Sequence, residues 1–159
     1  MKFVLDHYAL LYMLEQFPRN IATDLWNIFV DRCNDGTLVS HRESQKIFEQ
    51  EAVEEESLKW SQKNTAFFKT TTASEAELLG MMMDKGEFDF FATPKLVQRR
   101  MPEAIPFILC MAKKNDRVFV YRKNTNADCI AKIKKICTSY GITCMEIEDC
   151  LLTLKCNLD

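Results

Sequence analysis

The chain has 159 residues, of which 47% are hydrophobic and 28% are charged, with a formal net charge of −2. This length and balance predict a single globular domain over residues 1–159 with a sizeable buried core. They exclude a membrane span, because no apolar run is long enough, and the N-terminus lacks the pattern of a signal peptide, so a cytoplasmic protein is expected.

The seven cysteines and two histidines restrict the metal and redox chemistry that the chain can support. The cysteine count is odd, no pair has C-x-x-C spacing, and several cysteines fall on apolar faces. Buried reduced thiols are therefore predicted rather than a disulfide framework or a zinc site. With His7 and His41 as the only histidines, a histidine-rich metal site is excluded.

Short apolar runs alternate with helical patterns along the chain. Strands are predicted at residues 2–5, 37–40, 118–121 and 142–147, with a minor edge strand at Phe67-Phe68. Helices are predicted from Asp6 to Pro18, from near Asn20 to Gly36, from His41 to about Gln50, from Glu54, from Ser74, from about Pro106 to Ala112, from Ala127 to Gly141, and near residues 151–154. Ser74-x-x-Glu77 has the pattern of a capping box.

This alternation indicates a three-layer α/β/α sandwich with a mostly parallel sheet and the first strand at its centre. Asp6 directly follows that strand, and ligands of open α/β sheets bind beyond the carboxyl ends of the strands. Asp is also a favoured N-cap, so Asp6 has two open interpretations, a site residue and a helix cap. The irregular residues 86–100 are expected to form a loop over the crevice.

Positive charge is concentrated in the second half of the chain. Between Lys95 and Lys135 there are 11 basic and 3 acidic residues. A basic surface suits a polyanion such as RNA, although it also suits a plain solvated face. The candidate RNA- or partner-binding residues are Arg99, Arg100, Arg122 and Lys123.

Several segments follow one another in a characteristic order: Val4-Leu5-Asp6, Asp24-Leu25-Trp26, residues 36–40, Leu58-Lys59-Trp60, Phe67-Phe68, residues 107–112, Val118-Phe119-Val120 and residues 136–144. Their order and spacing over almost the whole chain resemble those of a PIN domain, and more closely those of uncharacterised bacterial PIN-like proteins. The resemblance implies a metal-dependent ribonuclease fold, often the toxin of a toxin–antitoxin pair. Such a site needs three or four converging carboxylates that hold Mg²⁺ or Mn²⁺.

The resemblance also places each carboxylate of such a site on this chain. Asp6 matches the first one and is the candidate metal ligand. The second falls at about Ile47, and Glu43 lies one turn earlier on the same face. The third falls at Ala104, beside Glu103. The candidate catalytic set is therefore Asp6, Glu43 and Glu103.

The fourth acidic position of the resemblance falls at Arg122 or Lys123, where the charge is reversed. A site with one matching carboxylate and two nearby cations is expected to bind Mg²⁺ or Mn²⁺ weakly. Because the first strand and the strand at 118–121 should be neighbours, we expect Arg122 or Lys123 to pair with Asp6 in place of the metal.

Three functions remain open on these grounds. The first is a degenerate PIN-like protein that binds RNA or a partner with little or no cleavage. The second is an active ribonuclease that uses Asp6, Glu43 and Glu103. The third is a small α/β interaction module whose basic half meets an acidic protein such as an antitoxin, and an oligomer is compatible with each of them.

Overall fold

The computed structural model describes residues 1–92, 104–123 and 127–157. The strands of this part are β1 (Lys2–Leu5), β2 (Leu38–His41), β3 (Phe68–Lys69), β4 (Arg117–Tyr121) and β5 (Cys144–Glu146). The helices are α1 (His7–Leu11), α2 (Thr23–Asp35), α3 (Arg42–Glu51), α4 (Glu55–Lys63), α5 (Ala73–Asp84), α6 (Ile105–Lys114), α7 (Ala127–Tyr140) and α8 (Ile147–Cys156). A π-helical turn at Tyr12–Gln16 continues α1, and short 3₁₀ turns lie at Thr65–Phe67 and Asp89–Ala92.

The strands form one parallel sheet in the order β3-β2-β1-β4-β5. Val4 of the central strand pairs with Val39 on one side and with Phe119 on the other. The predicted central position of the first strand is therefore confirmed. Because all five strands run the same way, their carboxyl ends meet along one edge of the sheet.

The side chains of the central strands alternate between two apolar cores, as the pleat of a strand requires. Val4 and Phe119 face a core that includes residues of α5, α6 and α7. Phe3, Leu5 and Val120 face a second core that includes residues of α1, α2 and α8. The molecule is thus the predicted three-layer α/β/α sandwich.

The ends of three helices are set by glycine and by capping side chains, and the predicted cap of one helix is wrong. Gly36 (φ 84°) and Gly141 (φ 67°) adopt the left-handed conformation that ends α2 and α7. The predicted capping box at Ser74 and Glu77 is wrong, because Thr72 caps α5 and Glu75 completes the box. Both frames have the required spacing, and the observed one begins two residues earlier.

The remaining predictions on the chain concern its thiols, its irregular loop and the membrane. All seven cysteines are free thiols, and Cys110, Cys129, Cys137 and Cys150 are buried. The predicted loop at 86–100 is described only as far as residue 92. In the three described ranges, no helix combines the length and apolar character needed to cross a bilayer.

Candidate functional site at the carboxyl edge of the sheet

Polar side chains stand where four neighbouring strands end. Asp6 follows β1, His41 ends β2, Arg122 follows β4 and Glu146 ends β5. Three of these residues, Asp6, His41 and Glu146, also cap the helix that comes next, because each side chain accepts a hydrogen bond from a backbone N–H of that helix. The edge is therefore lined by residues that serve the fold and are also placed where a ligand would bind.

Asp6 is the N-cap of α1 and lies at the carboxyl edge of the sheet. It is 2% exposed, and its Oδ1 accepts a 2.7 Å hydrogen bond from the backbone N of Ala9. Its own backbone N donates to the Val120 carbonyl of β4 at 3.0 Å. Burial raises the pKa of Asp6 to about 7, although hydrogen bonds from the Ala9 and Tyr8 backbone lower it. At neutral pH this carboxyl group is thus divided between its neutral and ionised forms.

Arg122 lies beyond the end of the neighbouring strand but binds other acids. Its Nη1 donates to Glu146 Oε1 at 3.1 Å and to Glu148 Oε1 at 3.0 Å. Its guanidinium carbon also lies 3.7 Å from the centre of the Tyr12 ring, a cation–π contact. The expected Arg122–Asp6 pair is replaced by this cluster, which carries acids from β5 and α8 that the sequence reasoning did not consider. The hydrogen bond from Arg122 lowers the pKa of Glu148, and the positive charge of exposed Lys123 lowers it further.

On the other side of Asp6, His41 ends β2, and its ring is held by two hydrogen bonds and a stacking contact. Its Nδ1 accepts from the Glu43 backbone N at 3.0 Å, so Nε2 carries the proton and donates to Thr71 Oγ1 at 2.9 Å. The ring stacks on Phe107 with 5.2 Å between centroids. Burial lowers the pKa of His41, although the charge of Glu43 opposes that shift. The neutral imidazole is therefore a fixed part of the edge.

The other predicted catalytic residues are placed differently. Glu43 lies in the first turn of α3, and its Oε1 accepts from Lys46 Nζ at 3.0 Å. Glu103, Arg99 and Arg100 lie outside the described residues. Within residues 1–92, 104–123 and 127–157, no group of three or more His, Cys, Asp or Glu side chains could hold a metal ion.

Sequence reasoning missed two polar residues of this edge, His41 and Glu146. Each is at most 3% exposed and caps a helix. The available signal was the one that identified Asp6, namely a polar residue at the end of a short apolar run. A third residue that was missed is the acid Glu75, which is 2% exposed and accepts a hydrogen bond from the Thr72 backbone N at 3.0 Å.

Comparison with protein families matches residues 3–158 to the family described as a domain of unknown function (DUF4411). The chain belongs to the DUF4411 family. No curated protein and no solved structure matches the chain. Since the description of DUF4411 states no activity, the chemistry of the edge is the guide to what this chain does.

At this edge of the DUF4411 chain, the buried acid Asp6 has a pKa near neutrality, and His41 at the end of β2 is neutral. The charge of Arg122, which follows β4, is balanced by two acids. Asp6 can exchange a proton close to physiological pH, as a group with such a pKa does. The acids that end β5 and begin α8, Glu146 and Glu148, are bonded to Arg122. Among the described residues, negative charge is therefore not concentrated at this edge.

Proposed function

We propose that this chain is a PIN-like protein that binds RNA and cleaves it weakly or not at all. The resemblance of its motifs to PIN domains supports the proposal. The parallel sheet, with Asp6 directly after the central strand, is compatible with that resemblance. What separates this chain from a metal-dependent ribonuclease is the state of the acids along the edge.

The state of Asp6 is the observation that carries the proposal. Its carboxyl group is buried, and its pKa is raised to about 7, so binding a cation there would first require ionisation of a desolvated group. Mg²⁺ requires near-octahedral oxygen coordination and is bound through ionised carboxylates. Glu43, the second candidate ligand, is paired with Lys46 instead. These two residues do not fit a magnesium site, and we assign no cleavage step to them.

The fourth acidic position of the resemblance supports the same reading. Arg122 or Lys123 stands there, and the side chain of Arg122 is 19% exposed while that of its partner Glu146 is 3% exposed. A buried ion pair of this kind holds its members in place, because removing one leaves the other charge uncompensated. The cluster therefore stabilises the edge with a fixed cation where a nuclease would have a metal ligand.

A basic pocket on the α5–α7 side of the sheet supports the RNA-binding part of the proposal. The pocket has a volume of about 290 Å³, and its lining includes three lysines and one acid, together with an aromatic ring: Lys85, Lys132, Lys135, Glu87 and Phe90. Lys132 Nζ lies 5.3 Å from the centre of the Phe90 ring. Single-stranded nucleic acid is commonly bound by cations that contact phosphates and by aromatic rings on which bases stack. This pocket offers both.

The deciding experiment combines calorimetry, thermal melting and an RNA cleavage assay on the full chain. We expect no tight binding of Mg²⁺ or Mn²⁺, no rise in melting temperature with either ion, and measurable binding of a single-stranded RNA oligonucleotide. Asp6→Asn, which keeps the capping oxygen but cannot ionise, should leave RNA binding and any residual cleavage unchanged.

The alternatives give different results in the same assays. An active nuclease would bind the metal, melt at a higher temperature with it, and lose cleavage in Asp6→Asn. That result would overturn the proposal. An interaction module would show no affinity for RNA and would form a stable complex with an acidic protein, which would also overturn it.

A further inference from the structure

The basic pocket is lined by one face of α7 and by the turn that follows α5. On α7, Lys132, Lys135 and Ser139 are three and four residues apart, so their side chains share a face of the helix. The turn contributes Lys85 and Glu87. Two separate elements of the fold therefore present lysines to the same cavity.

The turn after α5 has a defined backbone. Gly86 adopts the left-handed conformation (φ 73°), and its N–H donates to the Met83 carbonyl at 3.0 Å. The next N–H, that of Glu87, donates to the Met82 carbonyl at 3.1 Å. These two bonds satisfy carbonyls at the end of the helix, as glycine-terminated helix ends commonly do. The residues on either side of Gly86 are therefore held at one edge of the pocket.

The charge of the lining matches a terminal phosphate better than an internal one. Three lysines and one glutamate give the lining a net charge of +2, and Asp89 lies outside it. The Glu87 carboxylate accepts a hydrogen bond from the Tyr140 hydroxyl at 3.4 Å. In the described ranges, no salt bridge joins any of the three lysines to a carboxylate. A phosphate monoester carries about −1.5 to −2 at neutral pH, whereas each phosphate within a strand carries one negative charge.

Phe90 provides a surface for a base in the same cavity. Its ring is partly buried against the core that α5, α6 and α7 share, and it lines the pocket. Lys132 Nζ lies 5.3 Å from the ring centre. Because a cation–π contact at an exposed site is weak and a lysine side chain is flexible, a base can replace the ammonium group over the ring. The volume of about 290 Å³ is at the lower end for small-molecule pockets, which suits one nucleotide rather than a length of strand.

We propose that the basic pocket binds one nucleotide that carries a terminal phosphate monoester. The base stacks on Phe90, and Lys85, Lys132 and Lys135 neutralise the phosphate. As a site for the phosphorylated 5′ end of an RNA, the inference rests on the proposed function. A free nucleoside monophosphate has the same chemistry, and the experiment separates the two sources.

The test is fluorescence anisotropy on the full chain with one single-stranded RNA sequence, labelled at its 3′ end, that begins with either a 5′-phosphate or a 5′-hydroxyl. We expect the phosphorylated RNA to bind about tenfold more tightly, because its end adds charge-assisted hydrogen bonds. Adenosine 5′-monophosphate should displace it, and adenosine should not. Calorimetry with adenosine 5′-monophosphate alone measures binding that needs no RNA.

Three variants test the assignment to this pocket. Lys85→Gln/Lys132→Gln should bring the two RNAs to equal affinity. The matched control on α4, Lys59→Gln/Lys63→Gln, changes the net charge equally and should keep the preference. Phe90→Leu should weaken competition by adenosine 5′-monophosphate and leave competition by inorganic phosphate unchanged, because only the nucleotide has a base. Thermal melting checks that each variant is folded.

The outcomes distinguish this inference from the proposed function. Equal affinity of the wild type for the two RNAs would overturn the inference and leave RNA binding in place. A preference that survives in Lys85→Gln/Lys132→Gln would also overturn it, since the phosphate would then bind elsewhere. Binding of adenosine 5′-monophosphate that this variant loses, without binding of either RNA, would support the pocket as a free-nucleotide site and overturn the proposed function. No binding of RNA or of the nucleotide would overturn both.

Discussion

At the scale of single residues, Asp6 should make the stability of the protein depend on pH. Its pKa is about 7 in the folded protein, against an ordinary value of 3.8. Between these values the folded state binds the proton more tightly than the unfolded state does. Asp6 therefore contributes stability at low pH that is lost as the pH rises toward 7. A shift of this size corresponds to roughly 4 kcal/mol.

Asp6→Asn should remove this loss. Asparagine is as good an N-cap as aspartate and carries no charge, so the free energy of unfolding should exceed that of the wild type increasingly as the pH rises from about 4 to about 7. Urea unfolding at a series of pH values measures this difference in free energy. For Asp6→Ala, which also removes the cap, the free energy of unfolding should lie about 1 kcal/mol below that of Asp6→Asn at every pH in the series. Parallel profiles for wild type and Asp6→Asn would contradict the assignment.

His7, the next residue, should respond to pH in the opposite sense. It is fully buried, and within the described ranges neither ring nitrogen has a hydrogen-bond partner. Its Nε2 lies 3.6 Å from Glu51 Oε2, but burial lowers the pKa of His7 to about 4 and raises that of Glu51, so the two groups favour their uncharged forms. The unfolded chain takes up the proton first, and stability is lost as the pH falls from 6.5 toward 4.

His7→Leu should remove that acid-induced loss, worth roughly 3 kcal/mol at full extent. The wild-type profile between pH 4 and 6.5 combines this slope with the opposite slope of Asp6, and each single variant should reveal the other residue's contribution. Thermal melting at matched pH values checks the prediction. The double variant with Asp6→Asn should be nearly flat in this range, and a profile that still falls steeply with acid would assign the effect to other groups.

At the scale of elements, the Arg122 cluster joins β4 to β5 and α8. Arg122→Met should leave Glu146 buried without its counter-charge and destabilise the protein by about 3 kcal/mol, the lower end of the range for buried pairs, since Arg122 is partly exposed. Denaturant unfolding measures the loss. Adding Glu146→Gln, which keeps an oxygen for the Glu148 N–H, should restore most of it. A single variant as stable as the wild type would show that the pair contributes little.

The cap of α5 shows where sequence reasoning stops at this scale. Thr72-x-x-Glu75 and Ser74-x-x-Glu77 both satisfy the capping-box pattern, so local chemistry allows either start. The observed frame buries Glu75, which is 2% exposed and lies close enough to His41 to affect its pKa. Which residue becomes the N-cap depends on the path of the chain from β3 to α5, and the spacing of residues in the sequence does not give that path.

At the scale of the whole molecule, the hydrophobic pattern is sufficient to predict the architecture. It is not sufficient to predict which polar side chains bind one another at the carboxyl edge of the sheet. The apolar runs around Val4 and Phe119 predicted the central strands, the parallel sheet and the position of Asp6, because burial on two faces leaves a simple signature. The partner of Arg122 could not be predicted in this way. Strand adjacency made Asp6 a neighbour of β4, but Glu146 and Glu148 compete for the same cation, and only the path of β5 into α8 reveals them.

The charge asymmetry of the whole molecule leads to a prediction about RNA binding and salt. If Lys132 and Lys135 contact phosphates, the double variant Lys132→Gln/Lys135→Gln should weaken RNA binding and reduce the slope of log affinity against log salt by about 1.4, since each phosphate contact on a single strand contributes about 0.7. Fluorescence anisotropy over a salt series measures the slope.

The matched control for this experiment lies on α4, whose residue Trp60 packs against the opposite core. Lys59→Gln/Lys63→Gln makes the same change in net charge, so it separates the contribution of the basic pocket from a general effect of charge. We expect this variant to keep the wild-type slope, because screened charges farther than about 10 Å from the RNA contribute little at moderate salt. Equal losses in the two double variants would place the RNA elsewhere on the surface, and a slope near zero in the wild type would remove the electrostatic basis for RNA binding.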